Sequence, residues 1–309
     1  MPLFKKNSAR GFVGLDIDGG YLAAFQSDGD SVGRVASAEL PSGLVADGEV
    51  ADREGLAAAL KDFFRANALP RDVRLGVANQ QIVLRQIELP LIEDPRERDM
   101  AIRFQAAEAI AMPLEEAIVD HQVIAQVEEP DGTQRMRLVL VAARAAMIEA
   151  FVGAARDSGL KPAGVDLDAF ALVRTLSDAP ADGQGARVYC HLAGVTNLAI
   201  ALGDTCLFTR PLSAGWDEGS EGAAAQLADE IRLSIDYYMA QPAAKPVADA
   251  VVSGPRAQRD GFAEELSGLM GLPVTVAAPL GRLDPSALPA GEDPHRYTVA
   301  AGLAMGEAA

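Results

Sequence analysis

Hydrophobic and polar residues alternate along two stretches of the chain that share one rhythm. In residues 11–40, the runs GFVGLDI, YLAAFQ and SVGRVASAEL are separated by Asp18-Gly19-Gly20 and Asp28-Gly29-Asp30. About 175 residues later, the runs ARVYCHL, TNLAIAL and TCLFTRPL are separated by Ala193-Gly194-Val195 and Gly203-Asp204. A period of two between glycine-containing turns is typical of antiparallel strands. The sequence therefore predicts two β-meanders, each opening one of two related lobes that could grip a phosphorylated ligand between their first turns.

The segments after each meander predict helices and further strands. Asp52 is placed to cap a helix with the apolar stripe Leu56, Leu60, Phe63 and Phe64, and VRLGVAN follows as a parallel strand. In the second half, helices are expected over 221–239, 257–270 and 295–305, with the strands DAVVSGP and PVTVAA between them. This order of elements predicts mixed α/β lobes.

Residues 80–144 have the pattern of an inserted subdomain. The strand QIVLRQIELP leads to a helix over 96–112 that carries Met100, Phe104, Ala107 and Ala111 on one apolar face. The runs AIVDHQVIAQVEE and TQRMRLVLVAA then form a hairpin around Pro130-Asp131-Gly132. We therefore predict the following division of the chain: a tail over 1–10, a first lobe over 11–79 and 145–180, the insertion over 80–144, and a second lobe over 186–309.

Composition excludes several classes of protein. The formal net charge of −17 argues against general nucleic-acid binding, because most of the surface would repel a polyphosphate. Cys190 and Cys206, expected on neighbouring strands, are too few for a disulfide framework and predict buried thiols in a reducing cytosol. No run approaches the ~20 apolar residues of a transmembrane helix, and the N-terminal sequence lacks the apolar core of a signal peptide.

The titratable residues predict neither a catalytic nor a metal site. Asp166 and Asp168 precede a helical segment, where capping explains them better than acid–base catalysis. The three histidines, His121, His191 and His295, lie far apart without the spacing of metal ligands.

Several strings, weak singly but specific in their order and spacing, resemble the family of type IV pilus assembly protein PilM. They are GLDID (14–18), LPSGLVADGEVAD (40–52), VLRQIELP (83–90), VLVAAR (139–144), GLKPAGVDLDAFAL (159–172), EIRLSIDYY (230–238), VVSG (251–254) and YTVAAGLAM (297–305). The resemblance implies a two-lobed actin/Hsp70-like fold, a ribonuclease-H-like duplicate, with an inserted subdomain in the first lobe. It also implies Mg-ATP between the lobes and a cytoplasmic adaptor that binds the short tail of a PilN-like inner-membrane protein. Pilus motor ATPases are further candidate partners.

The nucleotide motifs of that family are altered in this chain. Asp16 stands where an acid holds Mg²⁺ through water, but the following turn brings a second carboxylate, Asp18, and lacks the family's lysine. His191 replaces a metal-organising acid, and Pro255 and Trp216 each replace one of two paired glycines. The remaining candidate cofactor-binding residues are Asp16, Gly19, Gly20, Gly194, Thr196, Gly215 and Gly254. We therefore predict weak or absent ATP binding and no enzymatic activity.

A groove in the insertion is the predicted partner site. Arg85, Ile87 and Leu89 of the strand and Phe104 of the helix are candidates to contact an extended peptide along a strand edge. The alternative for the helix is an ordinary solvated face opposite a core face. Alternative functions for the whole chain are an active ATPase or kinase of the same fold, or an adaptor of a type II secretion or cell-division machine.

Overall fold

The strands and helices that the hydrophobic pattern predicts are present in the predicted order. The structure is a computed structural model and describes residues 12–28, 31–177, 185–212, 222–241, 244–281 and 283–306. Its elements are β1 (Val13–Ile17), β2 (Tyr21–Asp28), β3 (Ser31–Glu39), β4 (Val45–Ala46), β5 (Glu49–Val50), α1 (Arg53–Ala66), β6 (Asp72–Val77), β7 (Val83–Pro90), α2 (Pro95–Ala109), β8 (Ala117–Glu128), β9 (Gln134–Arg144), α3 (Ala145–Asp157), β10 (Lys161–Leu167), α4 (Asp168–Leu176), β11 (Ala186–His191), β12 (Thr196–Leu202), β13 (Thr205–Leu212), α5 (Ala223–Met239), β14 (Val247–Ser253), α6 (Phe262–Met270), β15 (Val274–Val276) and α7 (Thr298–Ala304). Short 3₁₀ helices cover Leu114–Glu116, Pro255–Ala257, Pro285–Ala287 and Pro294–Tyr297.

Two five-stranded sheets repeat one topology. The first sheet has the order β3-β2-β1-β6-β10, and the second has the order β13-β12-β11-β14-β15. In each sheet three antiparallel strands are followed by two parallel ones, because β1 pairs antiparallel with β2 and parallel with β6, as β11 does with β12 and β14. Both predicted meanders are confirmed, and the two sheets form a duplicated, two-lobed framework.

The crossover from β3 to β6 is the capped helix that the sequence predicts. The Asp52 carboxylate accepts a hydrogen bond from the Gly55 N–H (3.0 Å), which satisfies one of the free donors at the start of α1. The apolar stripe of α1 is buried in the core of the first lobe, against residues of α3 and the first sheet: Leu56, Leu60, Phe63 and Phe64. This packing holds β6 parallel to β1.

The insertion is a three-stranded sheet, of order β7-β9-β8, covered on one face by α2. The predicted hairpin joins β8 to β9, with the Thr133 N–H donating to Asp131 Oδ1 (2.9 Å) in its turn. The apolar face predicted for α2 does not pack against the sheet. Met100 and Phe104 are 64% and 65% exposed, whereas Ile102 and Ala106 are buried against the sheet. Met100 and Phe104 have the spacing of one helical face, as Ile102 and Ala106 do, and the sheet packs against the face that carries Ile102 and Ala106.

The last helix does not stay in the second lobe, where the predicted division of 186–309 placed it. α7 packs against β1, β2 and β6 of the first sheet and against α4. Two glycines allow backbones to touch there: a Cβ on Gly14 would lie 2.0 Å from Ala300 O, and one on Gly302 would lie 2.0 Å from Ala171 O. The C-terminal segment therefore returns to the first lobe.

The two cysteines of the chain lie on the second sheet. Cys190 and Cys206 are buried free thiols, and burial raises the pKa of each to about 12. They lie on β11 and β13 with β12 between them, so the prediction of neighbouring strands is wrong. None of the helices within the described ranges is long and apolar enough to span a membrane. The predicted tail over 1–10 and residues 178–184, around the predicted boundary between the lobes, lie outside the described residues.

A candidate ligand cleft and a groove between sheet edges

The first turns of the two meanders border a cleft of about 770 Å³ between the lobes. Gly19 and Gly20 line it, and a Cβ placed on Gly20 would meet no atom within 4 Å. The turn is closed by the Asp18 N–H, which donates to Tyr21 O (3.1 Å), and Gly19 takes a φ of +85° that favours glycine. Gly19 and Gly20, two of the candidate cofactor-binding residues, therefore lie at the wall of a cleft between the lobes.

The Asp18 carboxylate crosses the cleft and is bound by the opposite turn. Asp18 Oδ1 accepts from the Val195 N–H (3.0 Å), and Asp18 Oδ2 accepts a shorter bond from the Gly194 N–H. A Cβ on Gly194 would lie 2.5 Å from both Asp18 Oδ2 and Asp18 O, so this approach requires glycine. The backbone donors that a ligand phosphate would use at this turn are therefore already bonded to the protein's own carboxylate.

Three buried carboxyl groups, Asp16, Asp18 and Asp168, lie together behind the first turn. Burial raises the pKa of Asp168 to about 8, with the charges of Asp18 and Asp166 adding to the rise. Burial also raises the pKa of Asp16 well above its usual range, helped by Asp168 and Asp18. Desolvation raises the pKa of Asp18 to about 7, although hydrogen bonds from the Val195 and Gly194 N–H groups and the charge of Arg256 each lower it. Asp168 therefore keeps its proton at neutral pH, whereas Asp18, with a pKa of about 7, is partly ionised there.

Asp168, which the sequence analysis assigned to helix capping, has another position. It is the first residue of α4, Leu167 precedes the helix without a side-chain cap, and Asp168 Oδ1 has no hydrogen-bond partner among the described residues. Asp166 instead pairs with Arg174 at 3.0 Å and accepts from the Leu167 N–H. The capping role is therefore wrong for Asp168, because its carboxyl points into the acid cluster next to Gly76.

His191, which replaces a metal-organising acid of the family, fills the buried end of strand β11. It is 1% exposed, and its Nδ1 lies 3.0 Å from Ser253 Oγ on the neighbouring strand β14. Burial lowers the pKa of His191 to about 4, so the imidazole is neutral. Thr196 and Asn197 are equally buried, and Thr196 Oγ1 does not line the cleft. Neither His191 nor Thr196 is available to a ligand in this arrangement.

Gly254 serves packing between two turns of the second lobe. It has a φ of +97°, and a Cβ there would lie 2.4 Å from Leu192 O, which also accepts from the Arg256 N–H (3.2 Å). Gly254 and Asp16 are both absent from the cleft wall. Gly215 and Trp216 lie outside the described residues.

The Mg-ATP that the resemblance implies does not fit these residues. The second turn's amides are taken by Asp18, Asp16 is buried away from the cleft, and a neutral His191 stands where a metal-organising acid is expected. In the described part of the chain, no group of three histidine, cysteine or acidic side chains is arranged to hold a metal ion. The cleft is open to solvent, but the residues of both turns that border it disfavour the binding of Mg-ATP.

A second concavity, of about 780 Å³, lies between two sheet edges. One wall is β7, the edge strand of the insertion, and the other is β13, an edge strand of the second sheet, with the end of α5. Side chains of consecutive residues point to opposite faces of a strand, so a run of consecutive lining residues means that β7 turns its edge toward the concavity. These residues are Val83, Leu84, Arg85, Gln86, Ile87 and Glu88. Gln86 Nε2 donates to Leu207 O (3.4 Å), which joins the two walls. We call this concavity the edge groove.

The structure divides the four predicted partner residues. Arg85 and Ile87 line the edge groove, whereas Leu89 is buried between β7 and α2, and Phe104 lies on the opposite, exposed face of α2. The four residues therefore do not form one surface. Tyr237, 59% exposed at the end of α5, lines the same groove and was missed, because only the tertiary fold brings α5 near β7.

Comparisons with known proteins agree with the fold. A family model described as type IV pilus assembly protein PilM matches residues 22–219, more than half of the chain. The solved PilM-PilN type IV pilus biogenesis complex matches with a TM-score of 0.79 at 23% identity, covering 96% of this chain and 98% of that one. ADP-bound MreB5 of Spiroplasma citri matches with a TM-score of 0.52 at 10% identity (94% of each chain). A Bacteroides thetaiotaomicron protein of actin-like ATPase fold and unknown function gives 0.50 at 10% identity (88% and 92%). No curated protein matches the sequence.

Proposed function

This chain belongs to the family of type IV pilus assembly protein PilM, and from that membership we propose that it is a cytoplasmic, actin-like adaptor of the inner-membrane pilus assembly platform. Its partner is the short cytoplasmic tail of a PilN-like membrane protein, which lies as an extended peptide in the edge groove. The observation that carries the proposal is the groove itself, in which two sheet edges face each other across a space of about 780 Å³.

Strand edges bind extended peptides because their outward N–H and C=O groups have no partner strand. In the edge groove, β7 and β13 each end a sheet, so a peptide could pair with either edge while its side chains contact Ile87, Phe208 and Tyr237. Main-chain pairing gives such a site affinity for an extended backbone, and the lining side chains give it selectivity.

The charge of the groove favours a peptide that carries acidic groups. Three arginines, Arg85, Arg137 and Arg210, line it together with one acid, Glu88, although the whole chain has a net charge of −17. Arg137 is paired with Glu88 (2.5 Å) and Arg210 with Glu230 (3.1 Å). Arg85 donates to its neighbour's carbonyl, Leu84 O (2.9 Å), and remains able to contact a carboxylate.

Arg85→Glu is expected to weaken tail binding by about tenfold to a hundredfold, since a charge-assisted contact contributes about 1.5–3 kcal/mol. Fluorescence anisotropy with a labelled peptide of the PilN-like tail from the same organism measures the dissociation constant. Arg103→Glu, the same substitution on the exposed side of α2 and outside the groove, is the matched control and should bind as the wild type does.

Tyr237→Ala tests the opposite wall and should also weaken binding, whereas Phe104→Ala, which removes a ring of similar exposure outside the groove, should not. Wild-type affinity in both Arg85→Glu and Tyr237→Ala, with circular dichroism showing folded protein, would exclude this groove as the tail site.

We further propose that the protein binds Mg-ATP weakly or not at all and acts without turning it over. The bonded amides of the second turn and the neutral His191 support this, since each lost charge-assisted phosphate contact weakens binding by about tenfold to a hundredfold. Isothermal titration of the wild type with Mg-ATP is expected to give a dissociation constant of about 1 mM or weaker, because two such losses move micromolar binding toward millimolar. A nucleotide-binding protein of the same fold serves as the positive control. Micromolar affinity for this chain would contradict the proposal.

A further inference from the structure

The two lobes are joined across the cleft by a carboxylate that is bound as an anion ligand would be. The two oxygens of Asp18 accept from two successive backbone N–H groups, those of Gly194 and Val195, which lie 176 and 177 residues further along the chain. Successive N–H groups that converge on one point form a concavity that binds phosphate and carboxylate groups. In this protein the anion in that concavity belongs to the chain.

The surroundings of Asp18 are built for this contact. The side chain is 7% exposed, and the missing Cβ of Gly194 provides the space into which its carboxylate fits. Burial raises the pKa of Asp18 to about 7, and the Val195 and Gly194 amides and the charge of Arg256 oppose that rise by favouring the ionised form. The two amide donors and the nearby cation offset part of the desolvation cost of this carboxylate, which it would carry in full without them.

We propose that Asp18 is a built-in substitute for a ligand phosphate, which occupies the anion site of the Gly194–Val195 turn and holds the two lobes closed without any nucleotide. In a two-lobed protein, a ligand closes the cleft by contacting both sides at once. Asp18 makes such a contact from within the chain, so closure does not depend on ligand concentration.

Closure by Asp18 also fixes the width of the edge groove, and this consequence rests on the proposed function. One wall of the groove, β7, belongs to the insertion of the first lobe, and the other, β13, belongs to the second lobe. If the lobes opened, β7 and β13 would separate and the bond from Gln86 to Leu207 O would break. A tail-binding site of constant width therefore follows from a closed cleft.

The test removes the Asp18 carboxylate and measures whether the Gly194–Val195 turn then binds phosphate. Asp18→Ser should leave the Gly194 and Val195 amides free, so inorganic phosphate should raise the unfolding temperature of the variant in a dose-dependent way, beyond potassium chloride of equal ionic strength. The wild type should show no such phosphate-specific shift. Glu49→Gln, which removes a negative charge from the wall of the same cleft without touching the second turn, should behave as the wild type does.

Lobe closure is measured separately, by electron–electron double resonance between spin labels on Lys61→Cys of α1 and Glu264→Cys of α6. Both positions are exposed and the two native cysteines are buried, so labelling is selective. The expected result is one narrow distance distribution in the wild type and a longer or broader one in Asp18→Ser, which phosphate narrows again.

Asp18→Asn keeps the shape of the side chain but has only one oxygen to offer the two amides. It should broaden the distance distribution without gaining a phosphate response, because its own side chain still fills the site. Wild-type distances in Asp18→Asn and Asp18→Ser, or an equal phosphate response in the wild type, would overturn the proposal. Neither readout involves the tail peptide, so the proposed closure by Asp18 is tested independently of the edge groove as the tail site. A loss of tail affinity in Asp18→Ser would show that closure of the lobes supports tail binding.

Discussion

Gly14→Ala is expected to destabilise the protein by on the order of 3 kcal/mol or more, because one methyl group would displace the last helix from the first sheet. A Cβ on Gly14 would lie 2.0 Å from Ala300 O, 2.6 Å from Ala304 N and 2.8 Å from Leu303 Cβ. The nearest two of these atoms belong to the backbone of α7, so no side-chain rotation relieves the overlap. All seven residues of α7 are buried, and their displacement would expose the core that they share with α4.

Equilibrium unfolding in urea, followed by circular dichroism, measures this effect. Gly20→Ala is the matched control in the same meander, since a Cβ on Gly20 meets nothing within 4 Å and Gly20 is not among the residues with positive φ. It should leave stability unchanged or raise it by about 0.4–1 kcal/mol through the unfolded chain. Equal unfolding midpoints for the two alanine variants would mean that α7 does not pack against Gly14 as described.

The second large effect is a loss of stability as the pH rises, caused by the buried acid cluster. The pKa of Asp168 rises from its usual value of 3.8 to about 8 in the folded protein, primarily through burial. Between about pH 4 and pH 8 the folded protein therefore retains a proton that the unfolded chain has released. Stability is then fully present below the unfolded pKa and falls as the pH rises through the folded one. Asp16 and Asp18, whose pKa values burial also raises, act in the same direction.

Asp168→Asn removes the ionisable group from this cluster and should make the protein less sensitive to pH. The difference in the free energy of unfolding between Asp168→Asn and the wild type should change in favour of the variant from pH 5 to pH 8. The change should be on the order of 2–5 kcal/mol, since one unit of pKa corresponds to about 1.4 kcal/mol. Urea unfolding at several pH values measures it. Asp131→Asn, the same substitution on the exposed β8–β9 turn, should keep the decline of the wild type. Parallel curves for Asp168→Asn and the wild type over this range would show that Asp168 does not hold a proton in the folded state.

The candidate site could be located from the sequence, but its contacts could not. The glycine turns at Gly19 and Gly194 predicted facing loops of two related lobes, and both loops border the cleft. Asp18 was identified from the sequence as a second carboxylate in the first turn. Its acceptance of hydrogen bonds from Gly194 and Val195 depends on the distance between two turns some 176 residues apart. A sequence pattern carries no information about that distance.

Only one wall of the edge groove could be predicted from the sequence. Strand β7 was predicted over 81–90 and spans Val83–Pro90, and Arg85 and Ile87 do line the groove. Its second wall, which includes Tyr237, comes from another lobe. Phe104 was chosen from a helical stripe, but the stripe that packs is the one with Ile102 and Ala106. Periodicity identifies both stripes equally, and only the position of the sheet selects between them.

Local physics explains what the sequence determined by itself. The alternation of apolar residues and the glycine turns define the two meanders, and the Asp52 cap and apolar stripe define α1. Each of these depends on residues close together in the chain, as does the family resemblance. The tertiary structure alone decided that α7 returns to β1, that Asp18 bridges the lobes, and that Asp16, Asp18 and Asp168 share one buried space. Those outcomes depend on close approach between distant segments, where a missing Cβ at Gly14 or Gly194 and the cost of burying charge determine which arrangement is stable.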